Sequence, residues 1–99
     1  MKQLVKSWLE AEQESGNSIS EAIDMMNECL EMYVTHSRVS EWRRGIYVPS
    51  QKVLSYMLHR TLRWALKEVG VTEVGPYNAL VRLLWEINVT DGEPYVELL

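Results

Sequence analysis

YVTHSRVSEWRRGIYVPS, Tyr33 to Ser50, is the stretch that decides how this 99-residue chain is read. An apolar pair three apart, Val39 and Trp42, stands among polar residues, and Arg43-Arg44 runs into Gly45. That pattern predicts a short helix of about two to three turns. Thr35 and Ser37 can each cap its start, because a hydroxyl oxygen accepts an otherwise unpaired N–H of the first turn. Gly45 suits the end, since glycine reaches the left-handed conformation without a Cβ penalty. Pro49-Ser50 then stops one element and opens the next. At about 100° per residue, Val39 and Trp42 point one way. Ser37, Ser40, Glu41 and Arg44 point the other way, with His36 and Arg38 on the flanks. Such a helix is pinned by two side chains and offers a polar row outward. An ordinary solvated face gives the same periodicity.

Charge along the chain separates those two readings. The net charge is −4, which by itself speaks against a polyanionic partner. Residues 1–34, however, set two Lys against seven acids, and residues 68–99 set Arg82 against six. Residues 35–67 set seven Lys/Arg against Glu41 alone, a local +6 that begins at the short helix. Binding to phosphates follows the local potential over a contact face rather than the net value.

Working outward, Lys2 to Glu14 has a helical pattern with Leu4, Val5, Trp8 and Leu9 on one side; Glu10, Glu12 and Glu14 read as a solvated run. Ser15-Gly16-Asn17 breaks it. Ser18-Ile19-Ser20-Glu21 fits a capping box and opens a second helix to about Met32. Its expected inner stripe is Ile19, Ala22, Ile23, Met26, Cys29 and Leu30, and its acidic outer face Glu21, Asp24, Glu28 and Glu31. Cys29 reads there as a small packing residue. The break at Tyr33-Val34 is short, so a helix, a few turn residues and a short polar-faced helix follow one another, the parts of a helix-turn-helix.

A long helix is expected from Ser50 to Val69, ended by Gly70. Its core stripe is Leu54, Met57, Leu58, Leu62, Ala65, Leu66 and Val69; Lys52, Ser55, His59, Arg63 and Lys67 line another face. Lys52, near the N-terminus, is placed for a phosphate, whereas Arg63 and Lys67 read as a solvated or interface stripe. Val71 to Gly75 reads as a linker. Tyr77 to Asn88 follows Pro76 as a helix, with a hairpin turning at Asp91-Gly92 as the alternative. That segment is apolar on more sides than a small domain covers, and Tyr77, Leu80, Val81, Leu84 and Trp85 are its candidate homodimer contacts.

Ser37 to Gly45 followed by Pro49-Ser50 resembles the phage Cro/cI-like (XRE) helix-turn-helix family, whose recognition helix commonly runs S-T-I-S-R-W-E-R-G before a P-S pair. The resemblance covers roughly Ile19 to Leu62. It implies an all-α, five-helix fold; residues 1–70 are expected to form the DNA-binding domain, and residues 71–99, on their own apolar pattern, a dimerisation or interaction extension. It further implies a homodimeric repressor on a palindromic operator in double-stranded DNA. By position, His36, Ser37, Ser40 and Glu41 fall on base-reading sites. Thr35, Arg44 and the Ser50–Lys52 turn fall on backbone-contacting sites, and Arg38 is a further phosphate or base contact. Tyr33 stands where the family has glycine in the turn. Arg43 replaces a usual glutamate, and a charge-swapped pair with Glu10, Glu12 or Glu14 is expected. The chain beyond about Leu66 lies outside the resemblance.

No catalytic constellation, cofactor or metal is implied. His36 and His59 are the only histidines, and there is no second cysteine for a zinc site. No stretch approaches the roughly 18 consecutive apolar residues of a membrane span, and one cysteine cannot make an internal disulfide, so a cytoplasmic location is expected. The alternative function is a protein-binding module on the same scaffold, such as an antitoxin or a phage-encoded inhibitor of a host protein, favoured by the acidic second helix and the C-terminal third.

Overall fold

The structure, a computed structural model, describes residues 2–68 and Gly70. Four helices make up these residues: α1 (Lys2–Glu14), α2 (Ile19–Leu30), α3 (His36–Arg44) and α4 (Gln51–Glu68). No strand occurs among the described residues. The fifth helix, the hairpin alternative and the candidate dimer contacts Tyr77, Leu80, Val81, Leu84 and Trp85 lie outside them.

Helix α1 is the hub, packing against α2, α3 and, most extensively, α4. Its Val5, Trp8 and Leu9 recur at helical spacing and are buried with Ala22, Ile23, Met26 and Leu30 of α2, Val39 and Trp42 of α3, and Val53, Tyr56 and Met57 of α4. The Trp8 and Tyr56 rings meet edge to face, centroids 6.3 Å apart at 73°, the geometry their quadrupoles favour. Burial pushes the Tyr56 phenol up to about 12.

The capping box forms as expected. Ser18 Oγ accepts from Glu21 N–H at 3.1 Å, and Glu21 Oε1 accepts from Ser18 N–H at 3.1 Å. Those bonds hold the Glu21 carboxyl below its ordinary range. Helix α2 ends at Leu30, earlier than the pattern suggests, because Glu31 adopts the left-handed conformation at φ 54° and ψ 48°. The connection to α3 therefore runs from Glu31 to Thr35.

Several expectations are corrected by burial. Cys29 is exposed, not packed: it sits at the margin of the α2 stripe, and Met26 and Leu30 fill the seam beside it. Glu12 is buried at 2% exposure rather than solvated. Its carboxylate accepts from Arg60 Nε at 2.6 Å and Nη2 at 3.2 Å and from Asn17 Nδ2 at 3.0 Å. A bidentate, charge-assisted pair of this kind satisfies a carboxylate that burial alone would penalise. The ion pair from α1 thus reaches α4. Arg43 is exposed and makes no ion pair among the described residues.

On α4, Ser55 and His59 are buried, and Ala65, expected in the core, is exposed. The first half of this helix lies deep in the domain and is covered on most sides, so a single-stripe reading fails there. Arg63 and Lys67 are exposed as expected. No helix among the described residues is long and apolar enough to cross a membrane.

Candidate nucleic-acid interface

The presentation of α3 begins with a side chain on the preceding helix. Asn27, on α2, donates from Nδ2 to Val34 O at 2.9 Å and accepts from Val34 N–H at Oδ1 at 2.8 Å. An amide side chain carries both donor and acceptor and can imitate a backbone partner for the turn. Tyr33 sits just before this clamp and is 98% exposed. It has no positive φ, and the left-handed residue of the turn is Glu31. A glycine is therefore not needed at position 33.

Thr35 is the N-cap, its Oγ1 accepting from Arg38 N–H at 3.2 Å. Ser37 is inside the helix. At the other end Gly45 takes φ 78° and ψ 16°, its N–H reaching Trp42 O at 3.1 Å, while Ile46 N–H reaches Glu41 O at 2.9 Å. A Cβ on Gly45 would meet Lys2 Cδ at 3.3 Å, a contact the exposed lysine side chain can yield to, so it is the left-handed backbone that calls for glycine here. Arg43 and Arg44 fall in the last turn, where cations offset the negative end of the helix dipole.

Between these caps only Val39 and Trp42 are buried. His36, Ser37, Arg38, Ser40, Arg43 and Arg44 are all exposed, and Glu41 is partly so. The four expected base-reading residues thus share the open part of α3. Arg44 Nε makes a 3.4 Å bond to Ser40 O. Arg38 Nε lies 3.9 Å from Glu41 Oε1, and its guanidinium sits 4.8 Å over the Tyr47 ring.

Three of the expected backbone-contacting residues carry structural roles as well. Thr35 caps α3, and Ser50 Oγ accepts from Val53 N–H at 3.4 Å at the start of α4. Lys52 Nζ donates to Leu30 O at 2.9 Å, capping the C-terminus of α2 across the fold. Its ammonium keeps two further donors, but the side chain is directed to α2.

The loop from Ile46 to Pro49 adds a feature that sequence periodicity does not address. Ile46, Tyr47 and Val48 are 53%, 51% and 70% exposed. Tyr47 and Val48 line, with Tyr33, Thr35, Arg38 and Ser50, an open groove of about 540 Å³. Asn27 and Tyr47 are the two residues of this region that the sequence does not single out. A tyrosine between apolar neighbours just before Pro49 was the available signal for the second; for Asn27, one polar residue on the margin of a stripe carried none.

Family models, curated proteins and solved structures all fail to give a significant match to this chain.

Proposed function

We propose that this chain is a sequence-specific regulator that binds double-stranded DNA as a homodimer, with α2 and α3 acting as a helix-turn-helix of the Cro/cI-like type. The observation that carries the reading is the open face of α3: a helix capped at both ends, buried through Val39 and Trp42 alone, with His36, Ser37, Arg38, Ser40, Arg43 and Arg44 exposed. A helix docked in a major groove needs short polar and cationic side chains outward and little bulk between them. His36, Ser37, Ser40 and Glu41 take the base-edge roles in this reading; Thr35, Arg44 and Ser50 take the phosphate contacts, Lys52 joins them through the donors it does not spend on Leu30 O, and Arg38 flanks both groups. Residues 71–99 supply the dimer contact in this reading, and no catalytic role is assigned.

Selection of duplexes from a random pool at two salt concentrations tests the proposal, with Arg38→Ala and Arg44→Ala alongside. Enrichment of a palindrome, weaker at high salt and diminished in the variants, is the expected result. Absence of duplex binding at low salt would remove the reading.

A protein-binding module is the second reading, supported by Tyr33, 98% exposed, next to the exposed acids Asp24 and Glu28 of α2 and Glu31 at its C-cap. Exposed aromatic rings beside charge are common anchors in protein interfaces. This reading expects no selection of DNA sequence.

A further inference from the structure

Among the described residues, Arg38 is the cation of α3 whose guanidinium is faced by two other side chains. Its Cζ lies over the Tyr47 ring, 4.8 Å from the centroid, and Glu41 Oε1 stands 3.9 Å from its Nε. Both members of the ion pair remain accessible, at 48% and 29% side-chain exposure. A tyrosine ring engages the face of a guanidinium and leaves its edge of N–H donors open. At 3.9 Å the carboxylate is too far for a good hydrogen bond, so it fixes the charge without consuming those donors.

This arrangement is a poor phosphate anchor. An anion brought to Arg38 would also meet the Glu41 carboxylate, which offsets the local positive charge. A neutral acceptor edge meets no such repulsion. Guanine offers two acceptors, O6 and N7, to a bidentate arginine, and the N4 amino group of its paired cytosine is a donor suited to a carboxylate. Guanine O6 and cytosine N4 are hydrogen-bonded neighbours about 2.9 Å apart, and the Arg38 and Glu41 heads, 3.9 Å apart, are close enough to face one such pair side by side. We propose that Arg38 and Glu41 together read a single G·C base pair, Arg38 on guanine and Glu41 on cytosine, with Tyr47 as the positioning residue that holds the arginine edge in plane. The inference rests on the DNA-binding reading above and names the base pair that reading leaves open.

The test is the binding profile of the full chain on its selected duplex and on the three substitutions at each position. A G·C pair is expected at one position per half-site. Arg38→Ala should reduce discrimination there by about 5- to 150-fold while leaving the slope of log affinity against log salt unchanged. Glu41→Ala should flatten the same position and raise affinity for unrelated duplexes, because its repulsion of phosphates is gone. Tyr47→Ala should reproduce the loss in Arg38→Ala without adding to it in the double variant. Tyr47→Phe, which keeps the ring, should restore the preference. An unchanged thermal midpoint in each variant shows that folding is intact. Loss of affinity for all duplexes alike in Arg38→Ala, with a salt slope smaller by about one, would overturn the inference and leave DNA binding standing. So would an unaltered preference in Tyr47→Ala. A wild-type chain that binds no duplex at low salt overturns both.

Discussion

Glu12 and Arg38 each face a partner of opposite charge, in opposite settings. In the seam between α1 and α4, Glu12 is 2% exposed and bonded to Arg60 at 2.6 Å. On α3, Arg38 and Glu41 stand 3.9 Å apart with much of both side chains in water. In the seam both carboxylate oxygens of Glu12 are bonded, by Arg60 and Asn17, so the pair fixes one helix against another. The α3 pair leaves donors and acceptors open, which suits a surface that meets something else. The two regions also differ in how they are held. Helices α1 and α4 are joined by extensive packing, whereas α3 rests on Val39, Trp42, its caps and the Asn27 clamp on the preceding turn.

Removing the main anchor of α3 tests that contrast most severely. Trp42→Ala should destabilise the domain by about 3–5 kcal/mol, the range for a buried tryptophan, measured by denaturant unfolding. Next comes the seam: Arg60→Met leaves the Glu12 carboxylate buried without its cation and should cost about 3 kcal/mol. Glu12→Gln should cost less, since Arg60 is 24% exposed and can turn to water. Asn27→Ala removes both bonds to Val34 and should cost about 2 kcal/mol, with faster hydrogen exchange at Val34 as the local sign. Thr35→Ala, which removes only the α3 cap, should cost about 1 kcal/mol.

An effect that is silent at neutral pH appears in alkali. Tyr56 titrates near 10 when unfolded and is pushed up to about 12 by burial in the fold. Its contribution to stability is therefore complete below pH 10 and is lost as pH rises from there toward 12. Tyr56→Phe should flatten that part of the stability profile.

Much of the helical layout was legible because it is written in local chemistry. The capping box at Ser18, the cap at Thr35 and the left-handed glycine at Gly45 act within a few residues of their own positions. What the sequence could not convey were partners distant along the chain. Nothing near Glu12 announces Arg60, 48 residues away, and the charge-swapped pair expected for Arg43 rests on the family's usual contact with the first helix, where Glu12 is taken by Arg60 instead. Cys29 and His59 fail for a related reason: periodicity gives the direction of a side chain but not how far its neighbours extend over it. One is exposed at the edge of an apolar stripe, and the other is buried on a nominally polar one. For the candidate interface, the α3 residues were legible from spacing and charge. Tyr47 was not, because its relation to Arg38 depends on how the loop folds back after Gly45.

The most direct test of the central claim, that α3 is a DNA-facing surface and the seam a structural one, pairs two variants in one assay. Duplex affinity and thermal midpoint are measured for Arg44→Ala and Arg60→Met at a temperature where both are folded. The account expects Arg44→Ala to weaken DNA binding with little change in midpoint, and Arg60→Met to lower the midpoint with affinity retained. Arg44→Ala binding DNA as the parent chain does, or neither protein binding at low salt, would contradict it.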